Sequence, residues 1–463
     1  MDLYAKRHSA IPLAEREGYF STAMSLAIST SDATPPTRIE RRCLIVLLLL
    51  ATALRAGLVW WKWDWLALDR DLYLELGRNV ADGEGFTLLR SAIFTPTAYR
   101  PPLYPLFLSM IFRFGGGLWT VAVIQVGLSA ATVWLTWRIG RALGLGKFAL
   151  VGAAFVAVNP LLVQTAALPM TETLCTFLLA GLFSVCLCGT TTTRPVSLGI
   201  WLGLAALCRP TVWAFAMLGS FITVVANRRM SAQGWREMLW ARGRSWGITL
   251  IAFGLTVSPW VIRNWCVFDR LIVTTTHGGY TLLLGNNDDA YHQEVLAAQE
   301  SGPYSGLWNS VPWQNELDRE LARANITLNN EVDRDRWMKR KAWDWIRHHP
   351  IEFLESCLLR QKRFWSVRPG GADVIPLPVV VRWGITTFYL LELGAAAIGL
   401  WSLRREEWRA WWPLVLLVVS FALVHVVYWS NLRMRAPVEP VLALLAARGF
   451  VGRWDKGRVA PLD

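Results

Sequence analysis

Charge is what this chain has least of. Charged residues make up 17% of its 463 residues against 54% hydrophobic, and mean hydropathy is +0.33. That is too little charge to coat a globular surface, so an ordinary soluble domain is excluded. The seven cysteines (Cys43, Cys175, Cys186, Cys188, Cys208, Cys266 and Cys357) form no metal-type CxxC pair, and most lie in apolar runs as small core residues do. Cys266 and Cys357 fall in one polar stretch, which leaves a disulfide between them open. No internal repeat is visible, and low complexity is confined to the N-terminal tail. The net charge of +13 comes from short Lys/Arg clusters between apolar runs, not from a basic domain interleaved with aromatics; nucleic acid is therefore not an expected partner.

Apolar runs of near-spanning length recur along most of the sequence. A bilayer admits only helices or closed barrels, because unpaired backbone groups cannot be left in hydrocarbon, and these runs are too long and continuous for barrel strands. The expected class is an all-α polytopic membrane protein of about ten spans. The 27 Trp residues fit, since the indole sits well at the headgroup boundary; Trp60, Trp61, Trp63 and Trp65 bracket one such boundary.

Residues 1–38 are polar and lack the charged start and short apolar region of a signal peptide, so they read as a disordered cytoplasmic tail. Arg38, Arg41 and Arg42 precede the run 43–61 and hold that end inside. The transmembrane core is then 39–265, including a first outer loop at 62–105. Later basic connectors (Arg138, Arg141 and Lys147; Arg194 in TTTTRP; the Arg-rich 227–244; Arg404, Arg405 and Arg409) all fall on the inner side. Residues 266–378 form a large extracytoplasmic region, with the mixed charge of a small helical lobe around 333–365. Residues 379–463 supply the C-terminal spans and a short cytoplasmic tail. The expected location is the inner (plasma) membrane.

This topology gathers Asp69, Asp71, Arg100, Glu172, Arg209, Arg263, Asn264, Arg433 and Arg435 at the outer ends of different helices. Carboxylates can take a proton from an attacking hydroxyl, and guanidinium forks can hold a phosphate as it leaves; together they suit a reaction on a lipid phosphate. Leu72, Leu74, Leu76 and Val80 alternate with polar residues as in a short interfacial helix, which Asp69 caps or precedes. In that helical phase Asp71 faces solvent. Arg209, between two short apolar runs, needs a partner. His277 reads as a loop histidine, and Asp288 with Asp289 as a solvated doublet, although a divalent cation shared with Asp69 stays open.

The pattern D-x-x-x-Y at Asp69 and Tyr73, GEGF at 83–86 and RPPLYP at 100–105 resembles the first outer loop of GT-C membrane glycosyltransferases. The branch it resembles is the bacterial one related to protein O-mannosyltransferases and the lipid A aminoarabinose transferase. TETLCTFLL at 171–179, LAALCRP at 204–210, SPWVIRNW at 258–265, THGGYTLLLGNN at 276–287, DRDRWMKRKAWDWIRHHPIEFL and LRMRAPVEPVLALLAARG follow in order across roughly 43–450. The resemblance implies a GT-C-like bundle, a polyprenyl-phosphate sugar donor and inverting transfer to a glycan, lipid or protein acceptor on the outer face. It implies Asp69 as the catalytic carboxylate, with Glu172 assisting. Tyr73, Arg100, Tyr104, Arg209, Arg263, Asn264, Arg433 and Arg435 are the expected substrate-binding residues. The competing expectation is a transporter or lipid flippase, which would carry ionisable residues at midplane and repeated halves; a third is a catalytically silent envelope scaffold.

Overall fold

The computed structural model describes residues 35–90, 92–189, 193–228, 235–298, 310–326, 330–369 and 377–454. The N-terminal tail up to residue 34, residues 190–192 of the inner turn and residues 229–234 of the Arg-rich connector lie outside these, as do residues 455–463 at the C-terminal end.

The first helix, α1 (Arg38–Trp61), starts where the Thr37 hydroxyl accepts the Glu40 N–H at 3.1 Å. One of its faces carries Ile45, Val46 and Leu49, all more than half exposed, which is a lipid-facing surface. The first outer loop follows. It holds α2 (Tyr73–Ala81) and a hairpin of β1 (Thr87–Arg90) and β2 (Ile93–Pro96), paired antiparallel with Thr87 opposite Pro96. The loop closes on α3 (Leu103–Arg113). Gly77 lets α2 lie directly on α3, because a Cβ there would sit 2.7 Å from that of Leu108. The hairpin was not anticipated: its strands are four residues long, below the length at which alternation is readable.

The bundle continues through α4 (Leu118–Ala142), α5 (Ala149–Val158), α6 (Pro160–Thr165), α7 (Thr171–Cys188), α8 (Arg194–Cys208), α9 (Thr211–Arg228) and α10 (Trp235–Phe268). An outer lobe has α11 (Gly278–Gly285), α12 (Ser310–Arg323), α13 (Glu331–His348) and α14 (Pro350–Phe364). The chain then returns through α15 (Val379–Trp401), α16 (Trp408–Val427) and α17 (Glu439–Trp454). Among the described residues six helices are long and apolar enough to cross a membrane; α3, α5, α8 and the apolar part of α9 are shorter. The fold class is thus an all-α membrane bundle. Small residues set its tightest contact: α15 and α17 approach so closely that a Cβ on Gly449 would fall 2.4 Å from the Ala395 carbonyl.

The apolar run 148–163 is two helices broken at Asn159–Pro160. Pro160 cannot donate to the ladder, so carbonyls at the end of α5 are left over. Arg55, fully buried on α1, takes them: its guanidinium donates to the carbonyls of Ala157 at 2.7 Å and Val156 at 3.0 Å, and to the Ser129 hydroxyl at 2.5 Å. On the other side of the break, Asn159 Oδ1 accepts the amides of Leu161 and Leu162, and the Tyr389 hydroxyl also accepts the Leu161 N–H.

The lobe has its own core of Leu282, Leu283, Trp313, Leu317, Leu321, Met338 and Ala342. Glu331 ties it to the first outer loop by accepting the Thr97 hydroxyl at 2.7 Å, the Ala98 N–H at 2.5 Å and the Thr276 hydroxyl at 3.0 Å. Arg360 on α14 ties it to the bundle by donating to the Val426 and Val427 carbonyls, both at 2.9 Å, at the end of α16. Cys266 and Cys357 are both free, one exposed and one buried, so no disulfide joins them.

Arg55→Leu, which suits lipid better, should still lower the melting temperature in detergent, at a cost of about 3 kcal/mol, because it strands buried carbonyls. An unchanged melting temperature would show that the break is satisfied without Arg55.

Candidate active site

Five helix ends and connectors meet at one place. Glu172 lies in the first turn of α7 and is 2% exposed; its Oε1 stands 3.2 Å from Arg209 Nη1 and 3.2 Å from Arg433 Nε. Its other oxygen, Oε2, is buried with no hydrogen-bond partner. Arg209 occupies the short connector between α8 and α9, where the extended backbone at the α8 cap turns the side chain toward α7. Arg433 comes from a 3-10 turn over Leu432–Val438 and reaches a second carboxylate, Asp71 Oδ2, at 3.7 Å. Asp71 in turn is gripped by Arg100, which donates from Nη2 to Oδ1 and from Nε to the Asp71 carbonyl, both at 2.8 Å. Three guanidiniums therefore share two carboxylates. Methionine sulfurs line the same place: Met434 Sδ accepts from Arg209 and Met170 Sδ from Arg433.

Asp71 is thus half-buried in ion pairs and not on a solvated face. The helical phase that pointed it outward does not apply, because α2 begins only at Tyr73, after Leu72 in the left-handed region at φ 62°. That reversal also explains Asp69. Its two oxygens accept the Leu74 N–H at 2.9 Å and the Glu75 N–H at 2.8 Å, so it closes the start of α2 from five and six residues away. Tyr73 packs edge-on to Tyr104 at 5.3 Å, and Arg100 lies over the rings of Tyr73 and Tyr99. Burial raises the Tyr73 hydroxyl's pKa above its usual range, against the opposing effect of Arg100. Burial works against the charge of Arg100, but Asp71, Tyr73 and Tyr99 together outweigh it, and the guanidinium is held more firmly protonated than usual. Tyr104 donates to Gln125 Oε1 at 2.7 Å, and Gln125 holds the Ala166 and Leu168 carbonyls at 3.1 Å each, which fixes the loop leading to Met170 and Glu172.

The remaining expected residues do other work. Arg263 donates to the carbonyls of Thr97 at 2.7 Å and Phe86 at 2.9 Å and so pins the first outer loop to the end of α10, while Asn264 donates to the Ile272 carbonyl at 3.0 Å and holds the segment that leaves α10. Arg435, fully buried, faces inward: it pairs with Glu439 at 2.6 Å, donates to the Phe364 and Ser366 carbonyls and lies over the Tyr389 ring. Asp288 accepts the Trp345 indole N–H at 2.7 Å, and among the described residues no three His, Cys, Asp or Glu side chains converge as a metal site would require.

His277 was read as an ordinary loop residue. It is held between Tyr99, 4.3 Å away edge-on, and Tyr280, stacked at 5.1 Å, and its Nδ1 is buried with no hydrogen-bond partner. Burial, reinforced by Arg100, pushes its pKa well below 6.5. Tyr280, three residues on, is the local part of this packing; Tyr99 comes from the first outer loop and leaves no mark in the sequence around His277.

Residues 99–258, under half of the chain, match the family model described as dolichyl-phosphate-mannose-protein mannosyltransferase. No curated protein matches the chain. Among solved structures, the oligosaccharyltransferase AglB of Archaeoglobus fulgidus, in complex with an inhibitory peptide and a dolichol-phosphate, superposes with a TM-score of 0.50 at 12% identity. The match covers 92% of this chain and 52% of that one, so the chain spans about half the length of AglB. ArnT of Cupriavidus metallidurans, bound to undecaprenyl phosphate, gives 0.32 at 12% identity over 82% and 72% of the two chains. The AglB likeness concerns the fold, which is of the GT-C type.

Two measurements test the site's geometry. In a double-mutant cycle, Glu172→Gln and Arg433→Gln should each destabilise the protein, with a coupling of about 1–3 kcal/mol in thermal or denaturant unfolding; simple additivity would mean the pair does not act as a unit. For His277, the unfolded chain takes up a proton at a pH where the folded one does not. Stability is therefore complete above pH 6.5 and erodes as pH falls below it toward the depressed folded value. His277→Phe should shrink that slope in melting curves between pH 7.5 and 5.5, and an unaltered slope would assign it to other groups.

Proposed function

We propose that this chain, built on the GT-C fold, is an integral-membrane glycosyltransferase that moves a sugar from a polyprenyl-phosphate donor to a glycan, lipid or protein acceptor. The observation that carries this reading is the Arg100–Asp71–Arg433–Glu172–Arg209 cluster, where three cations are balanced by only two carboxylates. Such a site has affinity left over for an anion, and the guanidiniums present donors in a geometry that fits phosphate oxygens. The family model over 99–258 supports the same class of chemistry.

On this reading the donor phosphate lies on Arg433, Arg209 and Arg100. The acceptor hydroxyl attacks the anomeric carbon while the bond from that carbon to the phosphate oxygen breaks. The polyprenyl phosphate leaves with the bonding electrons, the acceptor's proton passes to Asp69, and a single displacement inverts the anomeric centre. The amides of α2 orient Asp69, and each of its oxygens keeps a lone pair for an acceptor. Arg263 acts by holding the loop that carries Asp69 and Arg100, and Asn264 by accepting from Arg263 at 3.0 Å. The arginines supply the positive charge, and a divalent cation would have to share carboxylates that are already paired.

The alternating order of helices and basic connectors supports a site on the extracytoplasmic side. A transporter reading draws on Arg55, Glu392 and Glu439, which lie within the bundle. However, each is fully or almost fully buried and bonded across helices, with Asn159 donating to Glu439 at 3.0 Å. They serve as ties between helices more than as a path.

Purified protein in nanodiscs should release sugar from one of a panel of radiolabelled polyprenyl-phosphate sugars, and Asp69→Asn should lower that turnover by about 10²–10⁴-fold. Turnover equal in the variant would remove Asp69 from the chemistry. Absence of turnover with every donor, alongside a variant that behaves as wild type in a cell-envelope assay, would favour a transporter or scaffold.

A further inference from the structure

Away from the ion cluster, an open groove of about 240 Å³ runs between the outer end of α16, the helix α11 and the lobe helix α13. Leu282, Leu423, Val424 and Val427 form its apolar walls, Trp343 and Tyr428 stand beside them, and Lys339 is the one cation lining it. Leu423 is 53% exposed on a helix long and apolar enough to span, so the groove continues a lipid-facing surface. The Lys339 ammonium pairs with Asp335 at 2.7 Å, yet its side chain remains 45% exposed. Asp335 is itself fixed, because its Oδ1 accepts the Gly279 N–H at 2.5 Å, which leaves the ammonium anchored at this level.

An apolar slot with a lysine, a tryptophan and a tyrosine at the outer end of a spanning helix has the layering of a leaflet boundary. Hydrocarbon faces the slot, indole and phenol sit at headgroup depth, and the ammonium reaches the phosphate plane. We propose that this groove holds one acyl chain of an anionic glycerophospholipid from the outer leaflet, with its phosphate on Lys339. A water-soluble protein partner would have to displace leaflet lipid from the Leu423 side, and the continuity of that wall with the spanning surface favours lipid instead. The lipid would then join α16 to the lobe beside α11, the helix that begins next to His277.

The test uses the full chain in nanodiscs of phosphatidylcholine and phosphatidylglycerol, followed by detergent release and native mass spectrometry. Wild type should retain one phosphatidylglycerol in preference to phosphatidylcholine. Val424→Trp, which fills the slot, should cut retention about tenfold. Lys339→Gln, on the surface, should lower phosphatidylglycerol retention about fivefold without changing that of phosphatidylcholine. The proposal is overturned by equal retention of the two lipids in wild type, or by wild-type retention in Val424→Trp. It is also overturned if undecaprenyl phosphate, added in equal amount, is the molecule retained and is lost in that variant. Should Val424→Trp melt below wild type, Lys339→Gln decides: a lost preference supports the proposal and a kept one overturns it.

Discussion

A helix broken inside a bilayer exposes backbone groups where no water can reach them, and the whole outer site depends on how this chain repairs one such break. Between α5 and α6 the repair is made from three directions: Arg55 on the carbonyl side, Asn159 from within, and the Tyr389 hydroxyl on the amide side. The break lets α6 be short and ends it at a loop held by Gln125. That loop delivers Met170 and Glu172 to the start of α7. Removing the repair would therefore act on the ion cluster even though Arg55 never touches it. The physical link is the carbonyls of Val156 and Ala157, which would be left without a donor in the buried interior.

Arginine suits both roles for the same reason. A planar guanidinium stays charged when buried and presents several donors at fixed angles, whereas an ammonium would need a counter-charge or lose its proton. Within the bundle, Arg55 and Arg435 spend those donors on carbonyls and, for Arg435, on Glu439. In the ion cluster, Arg100, Arg209 and Arg433 spend them on the carboxylates of Asp71 and Glu172. Glu331 and Arg263 stand between the two groups, bonded chiefly to backbone and hydroxyls of the first outer loop. Their consequence is positional: the loop that carries Asp69, Asp71 and Arg100 cannot shift without breaking bonds to both the lobe and α10.

Much of this was legible in the sequence. The length of the apolar runs gave the helical membrane class. Glu172, Arg209 and Arg433 were expected together at helix ends, and they do meet there. What was not legible depended on local backbone state or on residues far apart in the chain. Asp71 departs from its expected place because the helical phase does not run back through Leu72, which is left-handed. Asn159 and Pro160 read as part of the turn between two apolar runs, but the donors that repair the break, Arg55 and Tyr389, lie far away in the chain. The bonds of Glu331 to residues 97, 98 and 276 leave no trace in any short motif.

Arg433 and Arg435 show the limit most sharply, because they have the same residue type, the same loop and a spacing of two. In a strand they would share a face, and in an α-helix they would point roughly 160° apart. The connector is instead a 3-10 turn, with about 120° per residue, so they separate by roughly a third of a circle. One reaches outward to Glu172 and Asp71; the other enters the bundle to meet Glu439 and Tyr389. The difference between an arginine in the ion cluster and one buried in the bundle is here a matter of turn geometry. Pro437 inside that turn helps to set it, because it removes a backbone donor just where the next helix begins.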